Sequence, residues 1–132
     1  MGNISRKAGQ DVGAVNMDKI KILIAEDSIT QAMQLQHILE ENGYDATVVS
    51  NGSEALRSIS KSKPMIVISD IIMPEMDGYE LCRQIKANES FRDIAVILLT
   101  SLSQPQAVIW ALQSGADKFI TKPYDENHLL ST

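Results

Sequence analysis

One rhythm constrains this chain more than any other feature. Short apolar runs of strand length alternate five times with segments whose apolar residues recur at helical spacing. Ile20, Ile22, Leu23 and Ile24 form the first run, which Glu26 and Asp27 end. Ser28 is placed to cap a helix whose Ala32, Leu35, Ile38 and Leu39 share one face, and Gly43 stops it. "ATVVS" (46–50) is the second run, and Asn51 opens a helix with Ala55, Leu56 and Ile59 inward. Met65 to Ile68 lead to Asp70, and a helix is predicted from about Asp77 to Ala87 with Leu81, Cys82 and Ile85 inward. "IAVILLTS" (94–101), a helix from about Gln104 to Ser114, "KFITKP" (118–123) and a short helix starting near Asp125 complete the series. The first, third and fourth runs are apolar throughout, as in parallel strands covered on both faces. The pattern predicts an α/β fold, a doubly wound five-stranded parallel sheet with helices on both faces. In such sheets ligands sit outside the carboxyl ends of the strands.

Composition narrows the function. A length of 132 residues favours a single domain. A net charge of -5 argues against direct contact with nucleic acid, which needs a basic surface. No apolar stretch approaches the roughly 20 residues of a membrane span, so no membrane insertion is expected. No secretory signal opens the chain, and Cys82 is the only cysteine, which suits a reducing cytoplasm. Cys82 itself lies in a helical pattern beside Leu81 and reads as a small core residue rather than a nucleophile. Residues 1–16 show no period and read as a flexible leader, a linker or a cloning remnant, with Met17 a plausible native start of a domain over 17–132.

The strand ends carry the chemistry. Glu26 and Asp27 end the first strand, Asp70 the third, Thr100 and Ser101 the fourth, and Lys122 the fifth. Any one of them could be a strand-end residue turning to water. As a set they place three acids, a hydroxyl and an amine at one edge. Three packed carboxylates repel unless a cation joins them, and few protein oxygens with a hard ion point to Mg²⁺. Lys122 adds a point charge able to pair with Asp70 or a phosphate oxygen, and Thr100 a hydroxyl. Such a site suits a carboxylate attacking phosphorus, with Asp70 as nucleophile and the cations neutralising the transferring group.

The quoted stretches "ILIAEDS", "ISDIIMPEMDG", "VILLTS" and "SGADKFITKP" together resemble the receiver domain of bacterial two-component response regulators. The resemblance covers residues 19 to about 130 and implies a flavodoxin-like (βα)5 arrangement. It implies Asp70 as phosphoacceptor, Asp27 and Asp70 as direct Mg²⁺ ligands, Glu26 acting mainly through water, and the Ile72 carbonyl completing the site. It further implies a cis Lys122–Pro123 peptide, with Thr100 and Phe119 as switch residues. The implied function is a signalling module of a two-component system or phosphorelay. It would take a phosphoryl group from a histidine kinase or phosphotransfer protein and catalyse only its own phosphorylation and dephosphorylation. Val108, Leu112 and Phe119 are assigned to a partner face, formed by the fourth helix, fifth strand and last helix, for an output domain, a partner or a phosphorylation-dependent homodimer. Glu26 stands where the family commonly has Asp. The last helix, "DENHLLST", is short or truncated against the family's, so a longer parent protein is expected.

Two other classes compete. A Mg²⁺-dependent phosphohydrolase with an aspartyl-phosphate intermediate would carry Asp-x-Asp after its first strand, where this chain has Glu26-Asp27-Ser28. A flavodoxin-like nucleotide binder needs a phosphate loop there, and two acids repel phosphate. Ala107 to Leu112, six apolar residues including Trp110, are more than one buried helix face requires. Ile71 and Ile72 are expected to shield Asp70 from water, and His37 and His128 to be solvated.

Overall fold

A computed structural model describes residues 19–100, 109–110, 112–122, 124 and 126–131. The strands are β1 (Lys21–Ala25), β2 (Asp45–Val49), β3 (Ile66–Asp70), β4 (Ala95–Thr100) and β5 (Lys118–Thr121). The helices are α1 (Ile29–Glu41), α2 (Gly52–Lys61), α3 (Gly78–Ala87) and the short α4 (Glu126–Ser131). Residues 109–110 and 112–113, within the span predicted as a helix before β5, are helical; the start of that span and Ser101 lie outside the described residues.

All pairings are parallel, in the order β2-β1-β3-β4-β5. The three apolar runs are thus the three inner strands, and the runs with polar positions are the edges. Because successive side chains on a strand point to opposite faces, each inner strand feeds two cores. Leu23, Val67, Val96 and Leu98 pack with Ala55, Ile59, Leu81 and Ile85 of α2 and α3. Ile22, Ile24, Ile68, Ile97 and Leu99 pack with Leu35 and Leu39 of α1 and Leu129 of α4. The first core also holds Cys82, fully buried, with burial raising its thiol pKa. With only six residues, α4 leaves an apolar groove of about 230 Å³ between itself and α1, at the amino ends of the strands.

Helix starts follow the side-chain chemistry. Ser28, Asn51 and Asp77 cap α1, α2 and α3, each accepting from the N–H three residues on. Each cap therefore begins a helix within a few residues of a strand's carboxyl end, so the loops there are short and their side chains converge.

Candidate functional site

The parallel register brings the strand ends level. Asp70 pairs with Leu99, so Thr100 lies one residue further along the neighbouring strand, and Thr100 pairs with Thr121, just before Lys122. Lys122 falls past the end of β5 rather than inside the predicted strand. Its N–H still donates to the Thr100 carbonyl at 2.6 Å, but the next residue is a proline and has no N–H to continue the ladder. Pro123, and with it the expected cis peptide, lies outside the described residues.

On the other side of β3, Glu26 and Asp27 follow β1. Glu26, Asp27 and Asp70 each present a carboxylate oxygen, and these oxygens all lie within 4.8 Å of one another. Glu26 is buried, Asp70 half-buried and Asp27 exposed. Burial, aided by the negative charge of Asp70, raises the Glu26 pKa above its ordinary value despite the Ser28 N–H and Lys122. A carboxylate held at that disadvantage favours a cation. Hard oxygen donors, few in number and open to water on the Asp27 side, fit a divalent ion such as Mg²⁺.

Lys122 is the counter-charge. Its Nζ lies 3.1 Å from Glu26 Oε1 and 3.4 Å from Asp70 Oδ2. Burial pulls its pKa down, yet the charges of Asp70 and Glu26 outweigh that and hold it above the usual value. Lys122 also donates to Gln31 Oε1 at 2.6 Å, a residue that sequence reasoning passed over. One Asp70 oxygen, Oδ1, accepts from the Ile71 N–H at 2.8 Å, which orients the carboxylate.

The loop after Asp70 is closed by its own backbone: the Gly78 N–H donates to the Ile71 carbonyl at 2.8 Å. A Cβ at Gly78 would collide with the Asp70 carbonyl oxygen, so only glycine allows α3 to start this close to the site. Glu75, at the loop's outer tip, has φ 70, and the Met76 N–H donates back to Pro74 across it at 2.8 Å, a strained tight turn. Ile71 is buried as expected of a shield for Asp70, but Ile72 is 68% exposed. Once β3 ends, the loop turns outward and the second isoleucine leaves the core.

Of the partner-face residues, Leu112 is exposed, Phe119 is half-buried against the α2–α3 core, and Val108 lies outside the described residues. Trp110 is half exposed with its ring edge-on to Tyr79 at 6.1 Å. His37 is solvent-facing, 3.3 Å from Glu41.

The fold and this acid–lysine edge define a receiver. Residues 22–132 match the response regulator receiver domain, and the chain belongs to that family. It is 34% identical over 112 residues to Protein PilH of Pseudomonas aeruginosa, covering 85% of this chain and 93% of that protein. It is 33% identical to the alkaline phosphatase synthesis transcriptional regulatory protein PhoP of Bacillus subtilis, covering 79% of this chain but only 42% of that protein. Among solved structures, the signal receiver domain of a signal transduction histidine kinase from Syntrophus aciditrophicus is 55% identical, with a TM-score of 0.80 and 84% of each chain covered. The chain thus spans nearly all of one relative and less than half of another. Membership places it in two-component signalling, with histidine kinases or phosphotransfer proteins as the partners implied.

Proposed function

We propose that this chain is a phosphorylation-dependent signalling module that accepts a phosphoryl group on Asp70 and catalyses only its own phosphorylation and dephosphorylation. The observation that carries the reading is the ring of unlike groups around Asp70. It shares one edge with Glu26 and Asp27, faces the Lys122 ammonium, and has one oxygen fixed by the Ile71 N–H. In that geometry Oδ2, ion-paired with Lys122 at 3.4 Å and not bonded by the Ile71 N–H, is the nucleophile. It forms the O–P bond as the bond from phosphorus to the donor imidazole breaks, and the imidazole leaves with the electron pair. Lys122 neutralises charge on the phosphoryl oxygens. Asp27, Asp70 and the Ile72 carbonyl would hold Mg²⁺. Glu26 would act through water, in keeping with its two oxygens being bonded to Lys122 and to the Ser28 N–H. Bound there, the ion supplies charge neutralisation for acids and phosphoryl group together.

The switch reading rests on placement. A new phosphoryl acceptor would draw the Thr100 hydroxyl toward Asp70, and half-buried Phe119 on the next strand would follow inward. The exposed Leu112 supplies apolar surface for a partner or a second copy. None of the described helices is long and apolar enough to cross a membrane.

Incubation with acetyl phosphate and Mg²⁺, followed by intact-mass and peptide mapping, tests the proposal. One phosphoryl group per chain on Asp70, absent in Asp70→Asn, is expected. Label on Asp27, or sustained turnover of acetyl phosphate, would reject it, the latter in favour of a phosphohydrolase. Sedimentation with and without beryllofluoride, repeated on Leu112→Lys, tests whether activation drives dimers through the Leu112 side.

A further inference from the structure

The first turn of α1 contains a local contradiction. Ser28-Ile29-Thr30-Gln31 reads as a capping box, a serine followed three residues later by glutamine. In that motif the serine side chain accepts from the third N–H, and the glutamine turns back to accept from the serine N–H. Half of it is present: Ser28 Oγ accepts from the Gln31 N–H at 3.4 Å. The other half is taken, because the Ser28 N–H donates to Glu26 Oε2 at 3.1 Å. At the matching position of α2 the side chain does turn back over the helix start, Glu54 accepting at 2.9 Å from the N–H of Ser50, one residue before the Asn51 cap. Glu26 therefore releases the Gln31 carboxamide from capping, and its oxygen accepts from Lys122 Nζ at 2.6 Å, the shortest of that ammonium's described contacts.

We infer that Gln31 is a positioning residue for Lys122, recruited from the helix cap to fix the ammonium in the phosphorylation site. An ammonium has three protons, and here three oxygens from three segments of chain receive them: Glu26, Gln31 and Asp70. A lysine side chain is flexible and keeps one place only when its head group is held from several sides. Gln31 is suited to the third place because it is neutral. A carboxylate there would put a fourth negative charge beside Glu26, Asp27 and Asp70 and oppose an incoming phosphoryl group. It covers the outward side of the ammonium from the rim of α1, so Lys122 is already poised when Asp70 Oδ2 becomes nucleophilic.

The inference rests on the phosphoacceptor reading but is testable apart from it. The test uses Gln31→Met, which keeps length without an acceptor, and Gln31→Glu, which keeps the acceptor. In metal-free protein, the Lys122 ammonium signal in ¹H–¹⁵N spectra should be visible for wild type and Gln31→Glu, and lost to solvent exchange in Gln31→Met. The acetyl phosphate labelling rate of Gln31→Met should fall about five- to tenfold, the share of one charge-assisted hydrogen bond. A wild-type ammonium signal and rate in Gln31→Met would overturn the inference. So would loss of the ammonium signal in Gln31→Glu as well, since that variant keeps the acceptor. If wild type itself took no label, the phosphoacceptor reading would fail, and the ammonium spectra would still decide the role of Gln31.

Discussion

Two lysines face carboxylates at opposite ends of the same sheet, and the sites have opposite characters. At the amino end, Lys86 of α3 meets Asp117, just before β5, at 2.8 Å. Lys86 also donates to the Ile94 and Arg92 carbonyls, while Asp117 accepts from the Val96 N–H at 2.8 Å. One charge meets one charge, and backbone groups complete both. Although burial pushes the Asp117 pKa up, Lys86 and the Val96 N–H bring it below the ordinary 3.8. At the carboxyl end one lysine faces three acids, and the Glu26 pKa lies above the ordinary 4.5. The balanced pair ties α3 to the start of β4 and β5; the unbalanced one leaves a demand for positive charge that a metal ion could meet. Excess charge, more than the presence of an ion pair, separates a functional site from a clamp.

The sharpest way to break the contrast is to remove each site's own anchor. Lys122→Met leaves buried Glu26 beside Asp70 without its cation and should cost about 2 kcal/mol, less than a fully buried pair because Lys122 is partly exposed. Added Mg²⁺ should recover most of that loss in urea unfolding, by binding only the folded chain. Asp117→Asn should cost about 1 kcal/mol, since the acid is half exposed, and its gap to wild type should stay the same when Mg²⁺ stabilises both chains alike. Equal rescue of both variants would erase the distinction.

Stability against pH sharpens the same comparison, because the two acids act in opposite directions. With its folded pKa lowered, Asp117 adds stability above about 3.8 that disappears as pH falls through the folded value, so wild type and Asp117→Asn should converge in acid. The raised folded pKa of Glu26 makes its contribution largest below 4.5 and lost as pH rises through the folded value. Glu26→Gln should therefore gain on wild type as pH climbs from 4.5 in metal-free buffer. Parallel slopes for the two variants would contradict the assignment.

The smallest expected effect concerns backbone strain. Gly115, beside the clamp, adopts φ 90 at a residue type that tolerates it, and a Cβ there would lie 3.2 Å from Lys86 Cγ. Glu75, in the loop beside Asp70, adopts φ 70 without that tolerance. Glu75→Gly should stabilise by roughly 0.5–1 kcal/mol while Gly115→Ala destabilises by at least as much. A neutral Glu75→Gly would show that the loop stores no strain.

The sequence by itself determined the layering of this protein. Apolar runs flanked by capped helical patterns can bury themselves only as a sheet covered on both faces, and the three most apolar runs became β1, β3 and β4, the inner strands. It also marked Glu26, Asp27, Asp70, Thr100 and Lys122, because each follows or ends a strand and parallel strands bring their carboxyl ends to one edge. Gln31 was hidden because its local signal is that of a helix cap. Only the folded chain shows Glu26 occupying the Ser28 N–H and Lys122 arriving from residues distant in sequence to claim the amide. The fate of Ile72 was likewise undecided locally, since two adjacent isoleucines look equally buried until the turn after Asp70 sends one of them out. Periodicity is a property of neighbours along the chain and survives any fold that uses it. Which oxygen receives which proton depends on distances across the sheet end, and those exist only once the strands are side by side.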